Sequence, residues 1–164
     1  MSDEQGTAAE APAVEGAEDQ PQLAILAQYV KDLSFENPNA PQVFQSTAQP
    51  QLDVNVNVGV SQPGDDVYEV SLKINATAKV EGATSFAVEV LYNGLFGLRN
   101  VPEEALQPFL LVEAPRILFP FVRRVVADVT RDGGFPPLLL EPIDFASLYM
   151  AQVNADQNQV VGNA

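Results

Sequence analysis

Between residues 52 and 92 an apolar side chain recurs at nearly every second position, a period that suits β-strands and defeats helices. Leu52, Val54, Val56, Val58 and Val60 share one face, with Asp53, Asn55 and Asn57 on the other. From Tyr68 to Val80, the set Tyr68, Val70, Leu72, Ile74, Ala76, Ala78 and Val80 alternates with Glu69, Ser71, Lys73, Asn75, Thr77 and Lys79. A further strand, Thr84 to Tyr92, points Phe86, Val88, Val90 and Tyr92 inward. The connections Gln62-Pro63-Gly64-Asp65-Asp66 and Glu81-Gly82 are turns by composition. Half-polar strands joined by short turns predict an antiparallel meander covered on one face.

The flanking segments complete the pattern. Leu23 to Glu36 reads as a first strand, with Ile25, Ala27 and Tyr29 alternating against Leu26, Gln28 and Val30. Both sets are fairly apolar, which predicts cover on both faces. Residues 37–50 form a long connection in which Pro38, Pro41 and Pro50 argue against a helix and against a central strand. Val43 and Phe44 within it are more apolar than a solvated loop needs. From Pro102 the period changes. Val101-Pro102-Glu103-Glu104 marks a helix start, with acids at the positive end of the helix dipole.

Leu118, Phe121, Val122, Val125, Val126 and Val129 lie at helical spacing across residues 115–131, with Pro120 at the first turn or at a kink. Gly133-Gly134 ends that helix. Asp144 is the expected N-cap of a last helix through Phe145, Leu148, Tyr149 and Val153. The fold class is therefore α+β: an antiparallel sheet with a long helix and a shorter C-terminal helix packed on one face. One domain is expected over residues 23–155, between a disordered acidic segment, 1–22, and a flexible polar tail, 156–164.

Charge narrows the partners. The chain of 164 residues carries 22 acids and 8 bases, a net charge of −14. Asp3, Glu4, Glu10, Glu15, Glu18 and Asp19 fall in the N-terminal segment, yet the remainder still carries a net −8. Such a balance repels nucleic-acid phosphates and anionic membranes and favours a basic partner. No apolar run approaches the roughly 18 residues of a membrane span, and the start has no basic-then-apolar secretory pattern. Without cysteine, the redox compartment cannot be read.

Catalytic chemistry has little to work with. The absence of His and Cys removes His-based triads, thiol nucleophiles and ordinary zinc sites, and no Gly-rich phosphate loop occurs. Asp65-Asp66 could contribute to a Mg²⁺ site, but a solvated turn accounts for the pair better. Asp32 and Glu36, four residues apart on a strand, stand about 13 Å from one another, too far to flank one bond. No catalytic residue, metal or cofactor is expected.

Five blocks of sequence in order resemble the SecB export chaperones of bacteria. They are residues 29–41 (YVKDLSFENPNAP), 65–70 (DDVYEV), 117–123 (ILFPFVR), 134–140 (GFPPLLL) and 144–150 (DFASLYM). The resemblance, which spans about residues 24–153, implies a four-stranded sheet and a homotetramer built as a dimer of dimers. It also implies an ATP-independent holdase of the cytoplasm, which binds unfolded precursor proteins and passes them to the SecA motor. The implied client groove involves Val43, Phe44, Phe145, Leu148 and Tyr149, over a floor of Leu52 and Val54. Where the family often has tryptophan, this chain has Ala48, which makes that end of the groove shallower.

The implied SecA-binding positions are Asp32, Glu36, Ala87 and Glu89, with any zinc belonging to SecA. Ala87 replaces a commonly larger apolar residue and weakens that contact. Val88, Val90 and Tyr92, with the long helix, are expected at the tetramer interface. The alternative is a SecB-like chaperone dedicated to one partner, such as an antitoxin.

Overall fold

The computed structural model describes residues 19–161. Four antiparallel strands, β1 (Gln22–Glu36), β2 (Gln51–Gly64), β3 (Val67–Val80) and β4 (Ala83–Arg99), make one sheet in the order β1-β4-β3-β2. The meander is thus β2-β3-β4, and the 37–50 connection carries the chain from β1 past it to the far edge. Asp65-Asp66 and Glu81-Gly82 make the turns, with Asp66, Glu81 and Gly82 at positive φ.

One sheet face lies under helix. The chain continues from β4 through α1 (Glu103–Pro108), a π-helical turn (Phe109–Glu113) and α2 (Ala114–Asp132). In α2 the buried residues Ala114, Leu118, Val122, Val126 and Thr130 recur every four positions, so one stripe faces the strands. Beneath it lie Val70, Leu72, Ile74, Ala76 and Ala78 of β3 and Phe86, Val88, Val90, Tyr92, Phe96 and Leu98 of β4, all buried. Each large side chain among them contributes about 1.5–3 kcal/mol of burial. Pro120 stands on the solvent side of α2, inside the helix and not at its end. The C-terminal helix α3 (Phe145–Val161) packs chiefly on the π-helical turn.

Several expectations need correcting. β4 runs seven residues past Tyr92, through Asn93-Gly94, which look like turn residues. Gly94 is needed there because a Cβ would come 2.7 Å from the buried Leu118. β1 is not covered on both faces. It is an edge strand whose Leu23, Ile25, Leu26, Val30 and Leu33 are all more than 40% exposed.

Val88, Val90 and Tyr92 are covered by their own chain and have almost no surface left for a second subunit. The stretch from Glu103 to Asp132 is, by length and composition, apolar enough to cross a membrane, contrary to the expectation that no run approaches this. Its apolar stripe is occupied by the sheet. Order also extends beyond the expected domain limits: β1 starts at Gln22, and α3 continues past Asp156 to Val161. The remainder of the two terminal segments, residues 1–18 and 162–164, lies outside the described residues.

Candidate functional site

The uncovered sheet face gathers the predicted acids. In the β1–β4 register Asp32 pairs with Leu91, Ser34 with Glu89 and Glu36 with Ala87. Cross-strand partners point to the same side about 5 Å apart, so Asp32, Glu36, Ala87 and Glu89 share one face. Glu89 lies between Asp32 and Glu36, and Leu91 and Ala87 form an apolar floor beside the three carboxylates. Asp32 and Glu36 make no ion pair with a described residue. Glu89 is paired with Lys73 of β3 at 2.9 Å.

Farther along the same face, the Tyr29 hydroxyl donates to Glu69, which also meets Lys31 at 3.5 Å. Donation by the phenol holds the Glu69 carboxyl below its usual value, and the same bond holds the Tyr29 hydroxyl above its own.

The predicted client groove divides in two. Val43, Phe44 and Leu52 line a cavity of about 530 Å³ with Ala48, Phe86, Phe135 and Leu138. Its aromatic wall is continuous: Phe44 lies 5.3 Å from Phe135, and Phe135 lies 4.9 Å from Phe86, centroid to centroid. Two amides hold the 37–50 loop in place as the other wall. Asn37 Nδ2 donates to the Gly133 carbonyl at 3.1 Å and Asn39 Nδ2 to the Thr84 carbonyl at 2.8 Å. Gly134 has φ +93°, and a side chain there would meet the Phe44 ring at 2.8 Å.

From this cavity an apolar lane follows β2. Leu52, Val54 and Val60 are 46%, 37% and 41% exposed. The lane ends at a small hollow lined by Val60, Tyr68, Leu106, Leu110 and Leu111. Phe135 and Val60 are missing from the sequence-based set. Phe135 had a signal, since it sits between Gly134 and Pro136-Pro137 in one of the five blocks.

The C-terminal helix does not join this cavity. Phe145 is buried with its ring 6.1 Å from that of Phe119, so it is core and not groove. Tyr149 lines a separate hollow of about 600 Å³ with Leu23, Leu98, Phe109 and Met150, and Leu148 is 45% exposed. Phe86 and Leu98 mark the two hollows on β4, about 40 Å apart by strand rise. The separation follows from residues 135–144, which turn back along α2. Leu138 N donates to Thr130 Oγ1 at 2.9 Å, and the segment delivers Phe145 to Phe119.

Comparison with known proteins bears on this arrangement. The family model described as "Preprotein translocase subunit SecB" matches residues 16–156. The chain belongs to the SecB family.

Among relatives, the "Protein-export protein SecB" of Sphingopyxis alaskensis is 56% identical over 99% of this SecB-family chain and 96% of that protein. The protein of the same description from Rhizorhabdus wittichii is 59% identical over 93% of this chain and 90% of its own. A solved SecB-like chaperone of Mycobacterium tuberculosis, bound to a peptide from an antitoxin, superimposes with a TM-score of 0.62. It covers 74% of this chain and 90% of that one at 18% identity, a likeness of fold. The SecB family is one of protein-export chaperones rather than enzymes.

Proposed function

We propose that this SecB-family chain is an ATP-independent cytoplasmic holdase that binds unfolded precursor proteins and delivers them to SecA. The observation that carries this reading is the lane from the Phe44–Phe135 cavity along β2. It is an exposed apolar track beside a strand edge, on a chain whose net charge of −14 keeps it soluble. A non-native client offers both apolar side chains and unpaired backbone groups. The lane buries the first, and the free edge of β2 pairs the second.

Delivery rests on the opposite face, where Asp32, Glu36 and Glu89 surround Leu91 and Ala87 and suit a basic segment of SecA. Assembly into a homotetramer, a dimer of dimers, is supported by the apolar β1 edge. Multiple lanes on one particle then hold a client by avidity.

Light scattering of an aggregating unfolded precursor tests the holdase. Equimolar tetramer delays aggregation, and Phe44→Ser with Leu52→Ser shortens that delay at unchanged melting temperature. No delay by the unaltered chain sinks the reading. Charge reversal of Asp32 and Glu89 removes SecA binding while the delay survives; unchanged SecA affinity removes this face from the function.

The antitoxin peptide held by the mycobacterial neighbour favours a second reading, a chaperone dedicated to one such partner. A toxin–antitoxin pair beside the gene, together with failure to hold general precursors, would support it.

A further inference from the structure

The three acids of the docking face are not equivalent. Asp32 and Glu36 stand on the edge strand without an ion pair to any described residue. Glu89, between them on β4, already has a cation: Lys73 Nζ at 2.9 Å, with both side chains 43% exposed. The register explains the geometry. Lys73 pairs with Leu91 and Asn75 with Glu89, so the lysine reaches diagonally across the β3–β4 ladder. The base that reaches Glu89 comes from β3, the interior neighbour of β4, on the same uncovered face, leaving the β1 side of the carboxylate facing the other two acids.

We infer that Lys73 is a built-in competitor for the docking face, a specificity-determining residue occupying the position that a partner's cation must take. The inference rests on the docking reading above. A basic segment lands first on Asp32 and Glu36, then exchanges with Lys73 at Glu89. The exchange replaces one ion pair by another, so the third contact adds little net affinity. A partner with one or two cations gains nothing from it. A partner with a dense basic cluster completes all three contacts, since its remaining charges hold it while Lys73 swings into water. The face is thereby set to discriminate by cation density and to let go readily.

Titration of full-length chain with a fluorescent peptide carrying five lysines among glycines tests this. The variants are Lys73→Met, Lys79→Met, Asp32→Asn and Glu89→Gln. Lys73→Met keeps the aliphatic stem and removes the competitor. Lys79→Met removes the same charge from the same strand about 20 Å away, at a residue with no ion pair to a described residue.

Lys73→Met is expected to bind about two- to fivefold tighter than the unaltered chain, the range of one exposed ion pair. The gain exceeds that of Lys79→Met, disappears in the Glu89→Gln background, and vanishes at 0.5 M salt, where screening acts within about 4 Å. Equal effects of Lys73→Met and Lys79→Met would reduce Lys73 to a share of net charge and overturn the inference. So would an affinity unchanged or weakened by Lys73→Met while Asp32→Asn still weakens binding. If Asp32→Asn leaves peptide affinity unchanged as well, the docking reading itself falls and takes the competitor with it.

Discussion

Tyr29 and Glu69 bond across a strand that lies between them. Their strands, β1 and β3, both border β4, and the phenol reaches over β4 to the carboxylate. The bond opposes peeling of an edge strand whose apolar side chains are largely exposed. Each partner's titration reports it. Glu69 is held below the ordinary 4.5, chiefly by the phenol, so its stabilising effect is present above that value and lost as pH falls through the lowered one.

Tyr29 is held above 10.0, chiefly by Glu69, so its effect is complete below 10 and lost as pH rises through the raised value. The bond is therefore at full strength between about pH 4.5 and 10. Tyr29→Phe is expected to lower unfolding stability by about 1 kcal/mol at pH 7, the usual net value of one hydrogen bond. Urea unfolding of both chains checks it: the difference should shrink at pH 3. A difference of equal size at pH 3 and pH 7 would assign the loss to contacts of the hydroxyl that do not depend on the ionised Glu69.

At the scale of elements, the packing of β4 under α2 leaves no room at Gly94. Gly94→Ala places a methyl group 2.7 Å from Leu118, which is fully buried. Overpacking of this kind costs about 1–3 kcal/mol, and a thermal melt should show it as a lower midpoint. An unchanged midpoint would mean that α2 shifts freely on the sheet.

The same position shows how far the sequence can be read. The period-two stretches are legible because one-sided burial writes itself into every second residue. Asn93-Gly94 looks like a turn because tertiary contact, not local preference, makes it strand. α3 was legible at its start, where Asp144 accepts from Ser147 N at 3.1 Å and from Ser147 Oγ at 2.7 Å. Its end was not, since the polar last turns carry no apolar stripe. Of the expected groove, the loop residues Val43 and Phe44 do line one cavity. Phe145, Leu148 and Tyr149 lie away from it, because nothing local tells that residues 135–144 turn back along α2.

The Asp144 carboxyl is held below its usual value by Ser147, so the cap works above pH 3.8 and fades as pH falls through the lowered value. Asp144→Ala should lose helical circular dichroism at neutral pH and differ little from the unaltered chain near pH 2. Equal helix content at neutral pH would remove the cap from α3's stability.

The whole molecule is defined by what it leaves uncovered. Of its two edge strands, β2 carries the apolar lane proposed to hold clients, and β1 carries Leu23, Ile25, Val30 and Leu33 at 42–49% exposure beside α2. A stable soluble chain does not leave a second apolar row and an unpaired strand edge to water without a partner. A second copy of the chain can cover both at once, by pairing β1 with β1 and burying the two apolar rows side by side. Such contacts need about 800 Å² from each partner, which an exposed 15-residue strand and its neighbouring helix surface can supply.

The subunit boundary of the proposed assembly therefore falls on β1, and not on Val88, Val90 and Tyr92, whose surfaces the long helix has already taken. Charge inserted into the row should separate subunits without unfolding them, because Val30 and Leu33 are 43% and 42% exposed in the single chain. Val30→Lys combined with Leu33→Lys is expected to reduce the particle mass in multi-angle light scattering from four chains to one or two, with the circular dichroism spectrum kept. Client holding should weaken more than lane occupancy alone explains, because the surviving species presents fewer lanes to one client. A four-chain mass retained by the double variant would move the boundary away from β1. A single-chain mass for the unaltered protein at micromolar concentration would remove the assembly and the avidity that depends on it.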